Sequence, residues 1–245
     1  MKKTMLLLLV CTLTAVGYAQ DLTSTETIKA LELCNKKQYE KALPVLEKEA
    51  NRGVIQAQFA LGRLYLQGIG VSQDCEKALD YLLKAGNQNF SDAQYTLGTI
   101  YAEGMCVEQD YVKAVDWYSK AAKQNNVQAE FNIGYIYANG LGVKQNYNLA
   151  LQHYLNAGEV GHAEAQFYAG VLYANGWGIK QNYKKAVEWF LRAAFNDHKE
   201  AQFNVGIMFK DGLGIKKNLE RAKYWLQKAA DKGVVQAKEV LQELK

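Results

Sequence analysis

A repeat of 36 residues is the feature of this chain that most restricts its fold. An Ala-Gln or Ala-Glu dipeptide recurs at that interval, and glycines follow each copy at two fixed positions. The recurring alanines are Ala57, Ala93, Ala129, Ala165 and Ala201. A strict period of this length is typical of units that cannot bury their apolar face alone and must stack on their neighbours. The sequence therefore predicts a solenoid of similar units.

The first half of each unit has the apolar spacing of a helix. In the first full copy we predict this helix from Ala57 to Gln67, with large apolar side chains at helical intervals. A Gly-x-Gly-Val stretch at 68–71 then ends it, because glycine readily takes the left-handed backbone conformation that closes a helix. The first glycine of this loop is present in every copy: Gly68, Gly104, Gly140, Gly176 and Gly212.

The second half of each unit is predicted to be another helix, introduced by a side chain that can cap its N-terminus. The capping residues are Asp74, Asp110, Asn146, Asn182 and Asn218. Alanines then recur beside an aromatic position, which allows neighbouring helices to approach closely while the ring fills the space between them. The aromatic position holds Tyr81, Trp117, His153, Trp189 and Trp225, and His153 is the one departure.

Two motifs give the chain a family resemblance. Residues 129–143, AEFNIGYIYANGLGV, and residues 110–122, DYVKAVDWYSKAA, resemble the Sel1-like repeat family, which is related to the tetratricopeptide repeats. The resemblance extends over roughly Ala57 to Lys245. It implies an all-α fold, a right-handed superhelical solenoid of antiparallel helix pairs, and a role as an adaptor in protein complexes, often in bacterial envelopes.

The period also predicts how the chain is divided. Residues 20–56 lack the glycine loop and look like a tetratricopeptide unit, which indicates an N-terminal capping repeat. A charged helix at 237–245 is predicted to cap the other end. The five full repeats between them are 57–92, 93–128, 129–164, 165–200 and 201–236.

Residues 1–19 have the composition of a secretory signal peptide. Lys2 and Lys3 precede an apolar run, and Gly17 and Ala19 supply the small residues of a cleavage site. We expect cleavage after Ala19 and a periplasmic or secreted protein. No second apolar run follows, so we expect no integral membrane segment after cleavage. The net charge of +4 includes the two leader lysines, and nothing suggests the clustered basic face of a nucleic-acid-binding protein.

Cysteines in an exported chain raise the question of disulfides. Cys106 replaces the second glycine of its loop, and Cys75 lies at the loop–helix junction of the preceding unit, so stacking should bring them near each other. We predict a disulfide between them, the alternative being two partly buried thiols. Cys34 has no obvious partner. Cys11 in the leader raises the alternative of a lipoprotein, although Val10 is larger than the residue that lipidation requires there.

The sequence offers little that could carry catalysis. Four serines follow the leader, and none lies in a Gly-x-Ser-x-Gly or Ser-x-x-Lys motif. His162 and His198, in the turns between units, and His153 at the aromatic position do not have the spacing of a zinc site. We therefore predict no catalytic residue, no metal and no cofactor. The alternative is an envelope-associated enzyme or glycan binder, with the peptidoglycan or β-lactam hydrolysis claimed for cysteine-rich relatives.

The positions at which the units differ predict where a partner binds. On the first helices these positions are three and four residues apart and share one face, which lines the concave side of such arrays. Amides and tyrosines dominate its middle, and both suit contact with a peptide. The predicted groove comprises Arg63, Asn132, Tyr135, Asn139, Tyr168, Asn175 and Asn204. We expect a monomer that binds a protein or peptide there; the alternative for the amides is hydrogen bonding within the scaffold.

Overall fold

The computed structural model describes residues 24–244, and this part of the chain folds into thirteen helices without a strand. The helices are α1 (Thr25–Asn35), α2 (Tyr39–Asn51), α3 (Ile55–Gln67), α4 (Cys75–Asn87), α5 (Ser91–Glu103), α6 (Tyr111–Ala122), α7 (Val127–Asn139), α8 (Tyr147–Glu159), α9 (Ala163–Asn175), α10 (Tyr183–Phe195), α11 (Lys199–Asp211), α12 (Leu219–Asp231) and α13 (Val235–Glu243). They pack in consecutive pairs, which confirms the predicted all-α solenoid. None of these helices has the length and apolar character that a membrane span requires. The predicted leader, with its cleavage site after Ala19, lies outside the described residues.

The array divides after Gln124 into two compact units, of which the first contains α1–α6 and the second α7–α13. Within each unit, alanines on both helices of a repeat are fully buried, which lets the helix axes approach closely. These alanines are Ala57, Ala78, Ala85, Ala93, Ala114 and Ala121 in the first unit and Ala129, Ala150, Ala157, Ala165, Ala186, Ala193, Ala201, Ala222 and Ala229 in the second.

The first helix of each repeat begins two residues before the predicted start. Val54 has an extended backbone, so α3 already begins at Ile55 and not at Ala57. The start was predicted from the recurring alanine, and the two residues that precede it are only partly buried. The predicted end is confirmed, since Gly68 has a φ of +66° and its N–H donates to the Leu64 carbonyl oxygen.

A second series of glycines fixes how tightly the two helices of one repeat pack. A Cβ atom on any of them would come within 2.5–2.8 Å of a side chain on the second helix, well inside van der Waals contact. The facing pairs are Gly62 and Leu82, Gly98 and Tyr118, Gly134 and Tyr154, Gly170 and Phe190, and Gly206 and Leu226. Each glycine is therefore a notch that receives one large side chain.

The glutamine of the recurring Ala-Gln dipeptide joins each repeat to the one before it. Its side chain is buried, and its Nε2 donates to a carbonyl oxygen near the end of the preceding second helix, which also accepts a backbone N–H of the turn that follows. The pairs are Gln58 with Ala50 (3.1 Å), Gln94 with Gly86 (3.0 Å), Gln166 with Gly158 (2.8 Å) and Gln202 with Ala194 (3.1 Å). Sequence reasoning recorded this dipeptide without recognising its role.

Cys75 and Cys106 form a disulfide in the first unit, with their sulfur atoms 2.03 Å apart, in agreement with the prediction. Elsewhere a loop glycine packs against the tyrosine that begins the preceding second helix. These pairs are Gly70 on Tyr39, Gly178 on Tyr147 and Gly214 on Tyr183. The disulfide therefore replaces a recurring packing contact with a covalent bond. Cys34 is buried in α1.

Both ends of the described chain pack on the array. In the first unit α1 and α2 contact α3, and in the second α13 contacts α12, where Ala237 is fully buried. These contacts are what a capping repeat and a capping helix would make. The capping roles, and the repeat boundaries with them, stay predictions.

Candidate functional site

Aromatic rings gather on the first helices of the second unit. Phe131 lies at the centre, with its ring centroid 6.5 Å from that of Tyr135, 5.9 Å from Tyr154 and 6.0 Å from Tyr168. Tyr135 follows Phe131 by one helical turn on α7, Tyr154 comes from α8, and Tyr168 comes from α9. We call Tyr135, Tyr154 and Tyr168 the tyrosine cluster. Three helices from two successive repeats thus bring two predicted groove residues together.

The three tyrosines differ in their access to solvent. Tyr135 is 42% exposed, Tyr168 is half-buried and Tyr154 is 1% exposed. Tyr154 fills the notch at Gly134, so it forms the floor beneath the other two. The cluster consequently offers a partner two rings on the surface and one buried support.

The hydroxyl of Tyr154 is buried and has no hydrogen-bond partner among the described residues. The equivalent residue one repeat earlier, Tyr118, has its hydroxyl 3.1 Å from Thr99 Oγ1. Tyr135 occupies the position of Thr99 in the next repeat, and its longer side chain places no hydroxyl against Tyr154. A buried hydroxyl without a partner costs about 1–3 kcal/mol. Where the earlier repeat has Thr99, this repeat has the exposed Tyr135, and the buried hydroxyl of Tyr154 is left without a hydrogen bond.

A carboxylate lies close to these hydroxyls. Burial raises the pKa of Tyr154, and the nearby hydroxyls of Tyr168 and Tyr135 and the carboxylate of Glu164 raise it further. Burial also raises the pKa of Tyr168, again with help from Glu164 and, more weakly, from Tyr135 and Glu200. Tyr154 and Tyr168 are therefore neutral at physiological pH, and the charge beside them is negative.

The predicted groove amides fall into two groups. Asn139 donates its Nδ2 to the Tyr135 carbonyl oxygen at 2.8 Å, and Asn175 donates to the Val171 carbonyl oxygen at 2.9 Å. Both bonds lie within one turn of the same helix, which is the hydrogen bonding within the scaffold considered above as the alternative. Both side chains nevertheless remain exposed. Asn132 and Asn204, on α7 and α11, are half-buried.

Arg63 is the one predicted groove residue that belongs to the first unit. Its guanidinium lies 5.5 Å from the centroid of the Phe59 ring. Burial raises the pKa of Asp92, and the charge of Arg63 partly offsets this rise. Arg63 thus has local partners in its own unit. The site described above consists of residues from the second unit.

His162 and His198 are helix caps. The Nδ1 atoms accept the backbone N–H of Ala165 at 3.2 Å and of Ala201 at 3.3 Å. The His162 ring stacks on Phe131 at 4.7 Å, and burial lowers its pKa while Glu164 acts in the opposite direction. Sequence reasoning placed both histidines in the turns but missed their capping role, which Asn126 performs one repeat earlier. Residues 24–244 contain no group of three or more side chains that could hold a metal ion.

His153 pairs with the only acidic residue of the Ala-Gln series. Glu130 replaces the recurring glutamine, and its carboxylate accepts from His153 Nδ1 at 2.6 Å and from Asn156 Nδ2 at 3.3 Å. The imidazole also stacks on Tyr137 at 6.2 Å. Glu130 is therefore directed towards the second helix of its own repeat and away from the tyrosine cluster. The predicted packed imidazole has an additional ionic partner that the sequence did not suggest.

A shallow cavity of about 260 Å³ is lined by residues of α8, α9 and α10 in the second unit. Its lining combines aromatic, acidic and basic side chains: Leu155, Glu159, Tyr173, Lys185, Glu188, Trp189 and Arg192. The Arg192 guanidinium covers the Trp189 ring at 4.5 Å, and the Lys185 ammonium lies 5.2 Å from the Tyr173 centroid. Both rings are thus occupied by cations of the chain itself, which weakens this cavity as a platform for a sugar ring.

Comparison with known proteins identifies similar chains. The Sel1 repeat family matches residues 55–90, 91–126, 127–162, 163–198 and 199–234. A Sel1 repeat protein from Oxalobacter formigenes is 35% identical, with a TM-score of 0.75 over 89% of this chain and 87% of that one. The antigen c5321, described as protective and present in uropathogenic Escherichia coli strains, displays an SLR fold and is 32% identical, with a TM-score of 0.86. That match covers 89% of this chain but 48% of the antigen. No curated protein matches the chain.

Proposed function

We propose that this chain, which belongs to the Sel1 repeat family, is an exported scaffold that binds a partner polypeptide on the first-helix face of its second unit. Members of the family are generally non-catalytic repeat scaffolds, and they typically mediate protein–protein interactions. The observation that carries the proposal is the tyrosine cluster, in which the exposed Tyr135 and the half-buried Tyr168 stand over the buried Tyr154.

The cluster has the chemistry of a binding hot spot. Tyrosines contribute a large contact area for the loss of few rotatable bonds, and they are enriched among residues that dominate binding energy. The exposed amides of Asn139 and Asn175 lie at the ends of α7 and α9, where their oxygen atoms can accept the N–H groups of an extended peptide. In this proposal the protein acts as a monomer without a cofactor and catalyses no reaction.

The disulfide supports export. Disulfides form and persist in oxidising compartments such as the bacterial periplasm and are rare in the reducing cytosol. Cys75 and Cys106 are joined within the first unit, which agrees with a leader that directs the chain out of the cytosol. We therefore place the protein in the periplasm or outside the cell.

Site-specific photo-cross-linking tests the proposed surface. A photoreactive phenylalanine analogue at position 135 should capture a defined polypeptide in the producing cells. The same analogue at Phe195 is the matched control, because Phe195 is a 73% exposed aromatic residue of the second unit that lies on a second helix. Equal capture from both positions, or no capture from position 135, would contradict the proposal.

The alternative of a glycan binder is tested in the same preparation. Purified protein is titrated with cell-wall fragments while the fluorescence of its tryptophans is followed, since Trp189 lines the cavity that a sugar would enter. We expect no saturable change. Saturable binding that survives replacement of Tyr135 would favour the glycan alternative over the polypeptide.

A further inference from the structure

The first helices that form the tyrosine cluster carry one sign of charge. Neither α7 nor α9 contains a lysine or an arginine, although the whole chain has a net charge of +4. Their charged residues are Glu130 and Glu164. Since Glu130 is bound to His153 and Asn156, Glu164 is the carboxylate that remains beside the cluster.

The charges that face the cluster from α11 do not reverse this sign. Glu200 adds a second carboxylate, and Lys199 Nζ lies 3.7 Å from Glu200 Oε1, so these two offset each other. Glu164 is half exposed, and its Oε2 lies 3.2 Å from His198 Nε2. A ligand that reaches Tyr168 therefore meets a negative field whose strongest source is Glu164.

Cations of the chain itself cover several aromatic rings among residues 24–244, but not the two surface rings of the cluster. The Lys120 ammonium lies 3.7 Å from the Trp117 centroid, and the Arg192 guanidinium lies 4.5 Å from that of Trp189. The cation–ring contacts of the described residues do not include Tyr135 or Tyr168. Aromatic faces attract cations, and here that capacity is unused.

The buried hydroxyl provides an independent observation at the same place. Tyr154 is 1% exposed, its hydroxyl has no partner among the described residues, and its ring lies 5.3 Å from that of Tyr168. Its oxygen has lone pairs that can accept an N–H group. A ligand N–H that reaches this oxygen would supply the missing partner.

We propose that Tyr135, Tyr168 and Glu164 form a subsite for a cationic side chain, lysine or arginine, of the partner polypeptide. The cation lies against the two rings, Glu164 is its counter-ion, and Tyr154 accepts a hydrogen bond from it. This inference rests on the proposed function. It specifies that the first-helix face of the second unit binds an extended segment of the partner that carries an exposed basic residue.

Selection from a displayed library of random twelve-residue peptides tests the subsite without knowledge of the partner. The full chain is the bait, and the bound peptides are sequenced and resynthesised. We expect them to be enriched in lysine or arginine at one position. Glu164→Gln, which removes the charge and keeps the shape, should weaken their binding by about five- to tenfold. Glu188→Gln, which removes an exposed carboxylate from α10, is the matched control and should leave binding unchanged.

The outcomes separate this inference from the proposed function. If the peptides bind and depend on Tyr135 but show no basic enrichment, or bind Glu164→Gln as well as the native chain, the cationic subsite is wrong and the polypeptide-binding face stands. If no peptide is selected, or if binding ignores Tyr135→Ala, both are overturned. Tyr135→Ala is used alone for this comparison because its exposed side chain can be removed without disturbing Tyr154, and circular dichroism verifies that the variant is folded.

Discussion

The ring of Tyr154 stacks on the ring of Tyr168, with centroids 5.3 Å apart and planes inclined by 18°, although the two residues belong to successive repeats. Tyr168 is consequently part of the packing between repeats as well as part of the surface. Tyr135 makes a looser contact, 6.5 Å from Phe131. The two surface tyrosines therefore differ in how much of the fold depends on them.

Replacing Tyr135 and Tyr168 together with alanine should weaken partner binding by about 2 kcal/mol or more, as the loss of an anchor does. The free energy of unfolding should fall by about 1–2 kcal/mol, mostly through Tyr168. Trp189→Ala, which empties a position only 7% exposed, should cost about 3 kcal/mol or more. Urea unfolding measures both variants. If the double variant is as unstable as Trp189→Ala, the two tyrosines belong to the core and this face is not the binding surface.

Tyr154→Phe should stabilise the free protein by about 1 kcal/mol, because it removes a buried hydroxyl that has no partner. Tyr118→Phe is the matched change one repeat earlier, where the hydroxyl bonds to Thr99, and it should destabilise the protein by about 1 kcal/mol. Thermal unfolding of the two variants measures the difference. Equal effects of the same sign would show that Tyr154 has found a partner in solution.

Stability should decrease on acidification through His162. Its pKa is lowered in the folded state, whereas in the unfolded chain it is near 6.5. Below about pH 6.5 the unfolded imidazole takes up a proton that the folded cap cannot accept, so the stabilisation present above that pH is lost as the pH falls. His162→Asn keeps a capping side chain, as Asn126 shows, and should reduce the difference in stability between pH 7.5 and pH 5.5. An unchanged difference would exclude His162 as its source.

Peptide mapping of the exported protein under non-reducing conditions should find Cys75 linked to Cys106. Replacing both with serine should lower the stability of the first unit by roughly 3–4 kcal/mol, as expected for a closed loop of this length. Cys75→Tyr with Cys106→Gly introduces the packing pair of Tyr147 and Gly178, and should recover part of that loss. Two free thiols in the native protein would contradict the assignment.

The mature protein should begin at Gln20, because Gly17 and Ala19 fit the cleavage rule. Intact-mass measurement of protein recovered from the periplasm or the medium checks this. A retained leader, or a lipid attached to Cys11, would prove the prediction wrong.

Most of the scaffold could be predicted from the sequence, because the period shows the same physical requirement five times. Loop glycines such as Gly68 and caps such as Asp74 depend on local backbone geometry, which a recurring residue type reveals. The role of Gln166 could not be predicted in this way, since its carbonyl partner is set by the stacking of helices from two repeats. The same limit applies to Tyr154. That its hydroxyl lacks a hydrogen bond follows only from the packed structure, in which Thr99 supplies this bond to Tyr118 one repeat earlier.

The notch at the recurring glycine holds side chains of different size and polarity in different repeats. The notch at Gly134 holds Tyr154, whereas the identical backbone at Gly170 holds Phe190 and that at Gly206 holds Leu226. A single mutation in the second helix can therefore alter the size and polarity of the floor under one segment of the proposed binding face. Such a chain can acquire new ligand preferences one repeat at a time, which a protein with a single shared core cannot readily do.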